Sequence, residues 1–136
     1  MKELRLRVAA DDPGLAQGQQ ALSAYLREMG AGDRAIYLVE LAFDELLNNV
    51  IRHGFRGSHP RPIDVRAAVG DEIVFVVEDD GPPFNPLEVP EPDRPASLEE
   101  ALPGGWGISL VRNAASRMEY ERLPDRNRVV VHISRE

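Results

Sequence analysis

From Arg34 to Arg52 the chain carries a helix that must be covered on two sides. Ile36, Val39, Phe43, Leu46, Leu47 and Val50 recur at helical spacing and form one broad apolar stripe. At about 100° per residue, Leu38, Leu41 and Ala42 fall on the opposite side. A helix apolar on both sides has to be packed from both. Two polar residues interrupt the second side, Glu45 and Asn49, one turn apart on one face. A carboxylate and an amide framed by apolar residues point into a pocket, and these are groups that magnesium–nucleotide chemistry uses. The other reading of this helix alone is an ordinary exposed Glu and Asn.

Composition closes several routes. At 136 residues the chain is expected to be one domain, 1–136, large enough for a real core, and its 43% apolar and 29% charged residues predict a globular, soluble protein. It has neither a run of about 18 apolar residues nor a signal-peptide pattern after Met1, so a cytoplasmic protein without a membrane span is expected. The absence of Cys removes disulfides, thiolate nucleophiles and Cys-ligated metals. A net charge of −7 argues against nonspecific binding to nucleic acid. Lys2 is the only lysine, so the Gly-rich loop and Lys of a P-loop are excluded, and any nucleotide must be held another way.

Alternation of Leu4, Leu6 and Val8 predicts a first strand, and Asp11-Asp12-Pro13 a helix start, with that helix ending at Met29-Gly30. Ile63–Val69 and Ile73–Glu78, parted by Gly70-Asp71, read as a hairpin. From Gly81 to Gly105 seven prolines prevent any long regular element, which predicts a lid at about 82–104, with one helical turn at Ser97–Glu100. Ile108, Leu110, Val111, Ala114, Ala115 and Met118 give a last helical period, and Glu121–Leu123 with Val129–Ile133 a closing hairpin. This order predicts an α/β two-layer sandwich, a mixed, mostly antiparallel sheet covered on one face by three helices.

Two further boxes carry chemistry. Val76-Val77-Glu78-Asp79-Asp80-Gly81 ends a β-rich run in acids, placing Asp79 where a carboxylate can accept a hydrogen bond from an exocyclic amine such as that of adenine; ordinary Asp-Gly turn chemistry is the plainer reading. Gly104-Gly105-Trp106-Gly107-Ile108-Ser109 runs a Gly-rich loop into a helix, whose N–H groups can cradle phosphate with help from the Ser109 hydroxyl; a flexible linker is the alternative.

In this order, the acid–amide helix, the Asp-x-Gly strand end, the Pro-rich lid and the Gly-x-Gly helix start resemble the N, G1 and G2 boxes of the GHKL ATPases, over about residues 34–120. That superfamily includes gyrase, heat-shock chaperones, histidine kinases and mismatch-repair proteins. Within it, the phrases Asp44–Phe55, Asp79–Pro86 and Gly104–Arg112 are similar to those of the small anti-sigma-factor serine kinases of bacterial partner switching.

The resemblance implies a Bergerat-type ATP-binding fold, with ATP and Mg²⁺ as cofactors. It implies Asn49 as Mg²⁺ ligand, Glu45 as general base, Asp79 as the adenine-binding acid, Gly81 as the glycine that admits the purine, and Gly105 and Gly107 as phosphate-loop glycines. Pro83 departs from the family, where a second Gly is common, and stiffens the entry to the lid.

The activity it implies is an ATP-dependent serine/threonine protein kinase that phosphorylates an antagonist protein. Its other partners would be a sigma factor or another regulatory protein, or a second copy in a homodimer. The alternative is a non-catalytic ATP-binding switch that regulates a partner or a phosphatase, which the same residues would serve. A complete histidine kinase is not expected, since there is no phosphoacceptor helix, and the ATP-binding part of a split sensor kinase is the weaker reading, since the short lid and compact chain lack its partner features.

Overall fold

The protein is described here by a computed structural model, in which residues 2–55, 59–89 and 107–136 are described. Strand β1 (Glu3–Val8) leads to helices α1 (Asp12–Glu28) and α2 (Asp33–Asn49). Strands β2 (Ile63–Val69) and β3 (Glu72–Asp79) follow, then α3 (Gly107–Ala114), β4 (Arg117–Leu123) and β5 (Arg126–Ser134).

Local chemistry sets the helix ends. Asp11 caps α1, its Oδ1 accepting from Gly14 N at 2.7 Å, with Pro13 in the first turn, where a missing N–H costs nothing. The helix stops at Gly30, whose φ of +81° is open to glycine at no steric cost, and Ala31 N closes back on Leu26 O at 3.0 Å. Arg135 ties the C-terminal end to this turn, donating to Met29 O at 3.1 Å and to Gly70 O at 3.2 Å.

The strands pair in the order β1-β2-β3-β5-β4, and every pairing is antiparallel. The mixed character expected from sequence is therefore absent among the described residues: each neighbouring pair is a hairpin or a return, and none is a parallel crossover. Alternation sorts the faces. On β2, Ile63, Val65, Ala67 and Val69 are buried, while Asp64 and Arg66 lie on the other side. One face packs on the helices and the other carries charge, an α/β sandwich with α1, α2 and α3 on one face.

The stripe on α2 is the centre of the core. Val39, Phe43, Leu46, Leu47 and Val50 are fully buried with Phe75, Ile73 and Ile133 of the sheet. The second side is covered as well, with Leu38 and Ala42 buried.

Two expectations need correction or qualification. Met118 is not part of the last helix. That helix ends at Ala114, Ser116 N donates to His132 O at 2.9 Å, and Met118 enters the core from β4, where it pairs with Val131. The closing hairpin thus begins at Arg117 rather than Glu121. Of the lid assigned to 82–104, the part from 90 onward, including the turn at Ser97–Glu100, lies outside the described residues.

Gly18 brings α1 close against this core. A Cβ there would meet Phe43 Cζ at 2.9 Å and Val8 Cγ2 at 3.0 Å. Gly18→Val is expected to destabilise the fold by about 1–3 kcal/mol through overpacking, and by less when Phe43→Leu makes room. Urea unfolding of the four proteins of this cycle measures the coupling; equal cost in both backgrounds would contradict the packing.

Candidate functional site

Glu45 is 8% exposed, on the side of α2 that faces α3. Gly107 explains how it fits. A Cβ built on Gly107 would stand 2.9 Å from Glu45 Cδ and Oε1, and closer still to Cγ. Only glycine lets the first turn of α3 seat itself on this carboxyl group, and the positive end of the α3 dipole favours a negative charge there. Ser109 lies half-buried two residues further on, and Gly105 and Trp106 lie outside the described residues.

One turn beyond Glu45, the Asn49 amide Nδ2 donates to Pro86 O at 3.0 Å. This holds the side chain in one orientation, and among the described residues Oδ1 takes no hydrogen bond. The carbonyl it grips belongs to a short 3₁₀ turn, Pro86–Glu88, which Asn85 caps through Leu87 N at 2.9 Å. Arg112 of α3 donates to Leu87 O at 3.2 Å. The turn is thus held from α2 and α3 together. Directly after Asn49 the helix widens to a π-helical turn, Val50–Gly54, closed by Phe55 N to Val50 O at 3.1 Å. Such turns concentrate at functional sites.

The widened turn interlocks with the end of β3 through two glycine–phenylalanine contacts. A Cβ on Gly54 would meet Phe84 at 2.9 Å, and one on Gly81 would meet the Phe55 ring at 3.1 Å. Glycine at each position lets the other segment's ring approach. The residues Asp79–Phe84 and the end of α2 are therefore built as one unit.

Asp79 lies at its base, 5% exposed. Its Oδ1 accepts from Gly81 N at 2.9 Å and from Asn127 Nδ2 at 3.1 Å. Among the described residues Oδ2 takes no hydrogen bond, which leaves an acceptor for a ligand donor. Burial pushes this carboxyl above its ordinary value, and the two hydrogen bonds only partly offset it. Its neighbour Asp80 shifts the other way. Arg61 donates to Asp80 Oδ1 at 2.6 Å and holds that carboxyl below its usual value, while the Arg61 guanidinium lies 5.3 Å from the Phe55 ring centre.

Two residues in this unit escaped the sequence reading. Asn127 is 2% exposed. It donates to Asp79 and to Pro82 O (2.9 Å) and accepts from Phe84 N (3.1 Å) and Tyr120 Oη (2.6 Å). Arg122 donates to Gly81 O at 2.8 Å. The signal for Asn127 was its parity: it stands in line with Val129, Val131 and Ile133, all inward on β5. A buried amide in an apolar row has work for each of its atoms.

The family model of the histidine kinase-like ATPase domain matches residues 8–133. The chain belongs to this family. Membership makes ATP the ligand class of this histidine kinase-like ATPase domain. A stretch of 90 residues is 31% identical to the serine/threonine-protein kinase BtrW of Bordetella bronchiseptica, covering 65% of this chain and 63% of that protein. The chain is therefore a distant homologue of a serine/threonine kinase and matches less than two thirds of its length. The fold is also that of the crystal structure of the RsbU and RsbW domains of Rv1364c from Mycobacterium tuberculosis, with a TM-score of 0.68 and 17% identity, over 98% of this chain and 32% of that one. No described helix is long and apolar enough to cross a membrane.

Asp79→Asn tests the adenine-binding role that the resemblance implies. The Asn oxygen can keep both hydrogen bonds, but its NH₂ would face the amine of an adenine read by this residue, so under that role adenine nucleotides should weaken more than bare triphosphate; calorimetric titration checks this, and equal loss for both contradicts the role. The pH dependence has a definite sign. With its folded pKa raised above 3.8, ionisation of Asp79 opposes folding as pH rises through that window. Asp79→Asn should remove this loss, gaining stability over wild type between acid and neutral pH in thermal unfolding.

Proposed function

We propose that this domain is an ATP-dependent serine/threonine protein kinase of a partner-switching system, of the anti-sigma-factor type, that phosphorylates an antagonist protein. The observation that carries this reading is the Glu45 carboxyl group, buried against Gly107 at the start of α3 and one turn from Asn49. A buried acid at the foot of a helix start stands where a phosphate-bearing ligand would present its reacting end.

In the reaction, the hydroxyl oxygen of a partner serine or threonine attacks the γ-phosphorus of ATP. The bond from that phosphorus to the bridging oxygen breaks, ADP leaves, and Glu45 takes the hydroxyl proton. Asp79, through its open Oδ2, accepts from the adenine amine, and Gly81 lets the purine approach. Gly105 and Gly107 offer backbone N–H groups to the phosphates, with Ser109 beside them.

The residues also fit Mg²⁺. Among the described residues the Asn49 Oδ1 takes no hydrogen bond while Nδ2 donates to Pro86 O, and there is no cluster of three acidic or His side chains. That suits an ion that keeps waters and takes most other ligands from phosphate. When bound, Mg²⁺ neutralises charge on the phosphates. A phosphate carried by the antagonist adds a charge of about −1.5 to −2 to its surface, enough to break a contact with this acidic chain and free it for a second partner such as a sigma factor.

Labelled ATP and candidate antagonist domains test the proposal. Wild type should transfer phosphate to a serine or threonine. Glu45→Gln should keep ATP affinity and slow transfer by about 10²–10⁴-fold, the contribution of a general base. Asn49→Ala should instead damage Mg²⁺-dependent binding itself. Normal ATP binding with no transfer to any cognate partner would replace the kinase by a nucleotide-gated binding module.

A further inference from the structure

Asp79, Asn127 and Arg122 stand in one row across three strands. The register pairs Asp79 of β3 with Asn127 of β5, and Asn127 with Arg122 of β4. The middle residue carries no charge, yet it is 2% exposed and fully hydrogen-bonded. A side-chain amide has two N–H donors and two carbonyl lone pairs. In Asn127 the donors go to Asp79 Oδ1 (3.1 Å) and Pro82 O (2.9 Å), and Oδ1 accepts from Phe84 N (3.1 Å) and Tyr120 Oη (2.6 Å). No capacity remains for a ligand.

The amide cannot be turned over. Pro82 O can only accept and Phe84 N can only donate, so these two backbone groups assign Nδ2 and Oδ1 to their places. The hydrogen aimed at Asp79 is therefore set by the loop after β3, not by the carboxyl group itself. Gly81 N donates to the same oxygen at 2.9 Å. Asp79 Oδ1 thus receives two donors and, among the described residues, Oδ2 receives none. A proton taken up by this carboxyl group goes to Oδ2, because two hydrogens already meet Oδ1. Oδ2 accepts when the group is ionised and donates when it is protonated.

We propose that Asn127 is a positioning residue for base recognition, which acts through Asp79 and keeps Oδ2 an acceptor, so that a base with an exocyclic amine is chosen over one with a carbonyl oxygen in its place. Asn127 does not touch the base. The inference rests on the adenine-binding role of Asp79 in the proposed function and adds the residue that makes Asp79 selective. The other groups that bear on this carboxyl are few. Burial and the neighbouring Asp80 oppose its ionised form, while the bonds from Asn127 and Gly81 and the charge of Arg122 favour it.

Calorimetric titration of the full chain with ATP and with inosine triphosphate, whose base carries a carbonyl oxygen in place of the amine, tests this across a range of pH. Wild type should prefer ATP by at least about tenfold at neutral pH, and the preference should fall as pH falls and Oδ2 gains its proton. Asn127→Asp keeps the size and the acceptor of the side chain, has no hydrogen to give when ionised, and sets a second carboxyl group beside Asp79. The preference should drop at least about fivefold at neutral pH and recover at higher pH. Equal loss of both nucleotides with an unshifted pH profile overturns the role of Asn127 and leaves the adenine role of Asp79 standing. A wild type with no preference overturns the adenine role, and this inference with it. One readout does not depend on the variant folding: in wild type, the side-chain ¹⁵NH₂ signals of Asn127 should titrate with the same midpoint as the ATP preference. Signals that stay still across that range overturn the proposal.

Discussion

Two carboxyl groups removed from water organise this domain. Glu45 and Asp79 are both nearly inaccessible, and burying an acid is costly unless hydrogen bonds or a dipole meet it. The fold answers each acid differently. Glu45 is met by the start of α3, which reaches it because residue 107 has no side chain. Asp79 is met by the amide of Gly81 and by Asn127, which also fastens Pro82 and Phe84. The close approach of α3 to α2, the interlocked phenylalanines and the pinned loop after β3 are the consequences. Such arrangements are retained where a ligand completes them, which is why the proposed ATP chemistry is located here.

The same two strands serve both faces of the sheet. On β3 the side chains of Glu78 and Asp79, one residue apart, face opposite ways, and on β5 Asn127 stands between Arg126 and Arg128. The parity of a strand therefore separates the buried Asp79–Asn127 pair under the helices from the arginines of the uncovered face. A shift of register by one residue would exchange them, so the pairing of Asp79 with Asn127 fixes both faces together.

What could be read in the sequence was periodic or local. The α2 stripe, the strand alternation and the cap at Asp11 are each written within a few residues, and the structure has them where the pattern places them. The period from Ile108 to Met118 misled because Met118 fits a helical spacing, yet the chain leaves the helix when Ser116 finds His132 O, sixteen residues away. Asp79 and Asp80 look alike in sequence. Asp79 is shifted up by its burial, which the hydrogen bond from Asn127, 48 residues away, only partly offsets, and Asp80 is shifted down by Arg61, 19 residues away. The arginines of the uncovered face need the register of four strands before they become neighbours. Of the candidate residues, Glu45 and Gly107 meet directly, Gly81 meets the turn after Asn49, and Gly105 lies outside the described residues.

The central claim is one nucleotide site assembled from α2, the end of β3 and the start of α3. Backbone amide shifts in a ¹⁵N spectrum, followed as a non-hydrolysable ATP analogue and Mg²⁺ are added, test it most directly. The largest changes should fall on Glu45–Gly54, Asp79–Asn85 and Gly107–Leu110, saturating together at one affinity, with little change at Arg5, Arg66 and Arg128. Changes confined to the arginine face, or different affinities for the three segments, would contradict a single site under the helices.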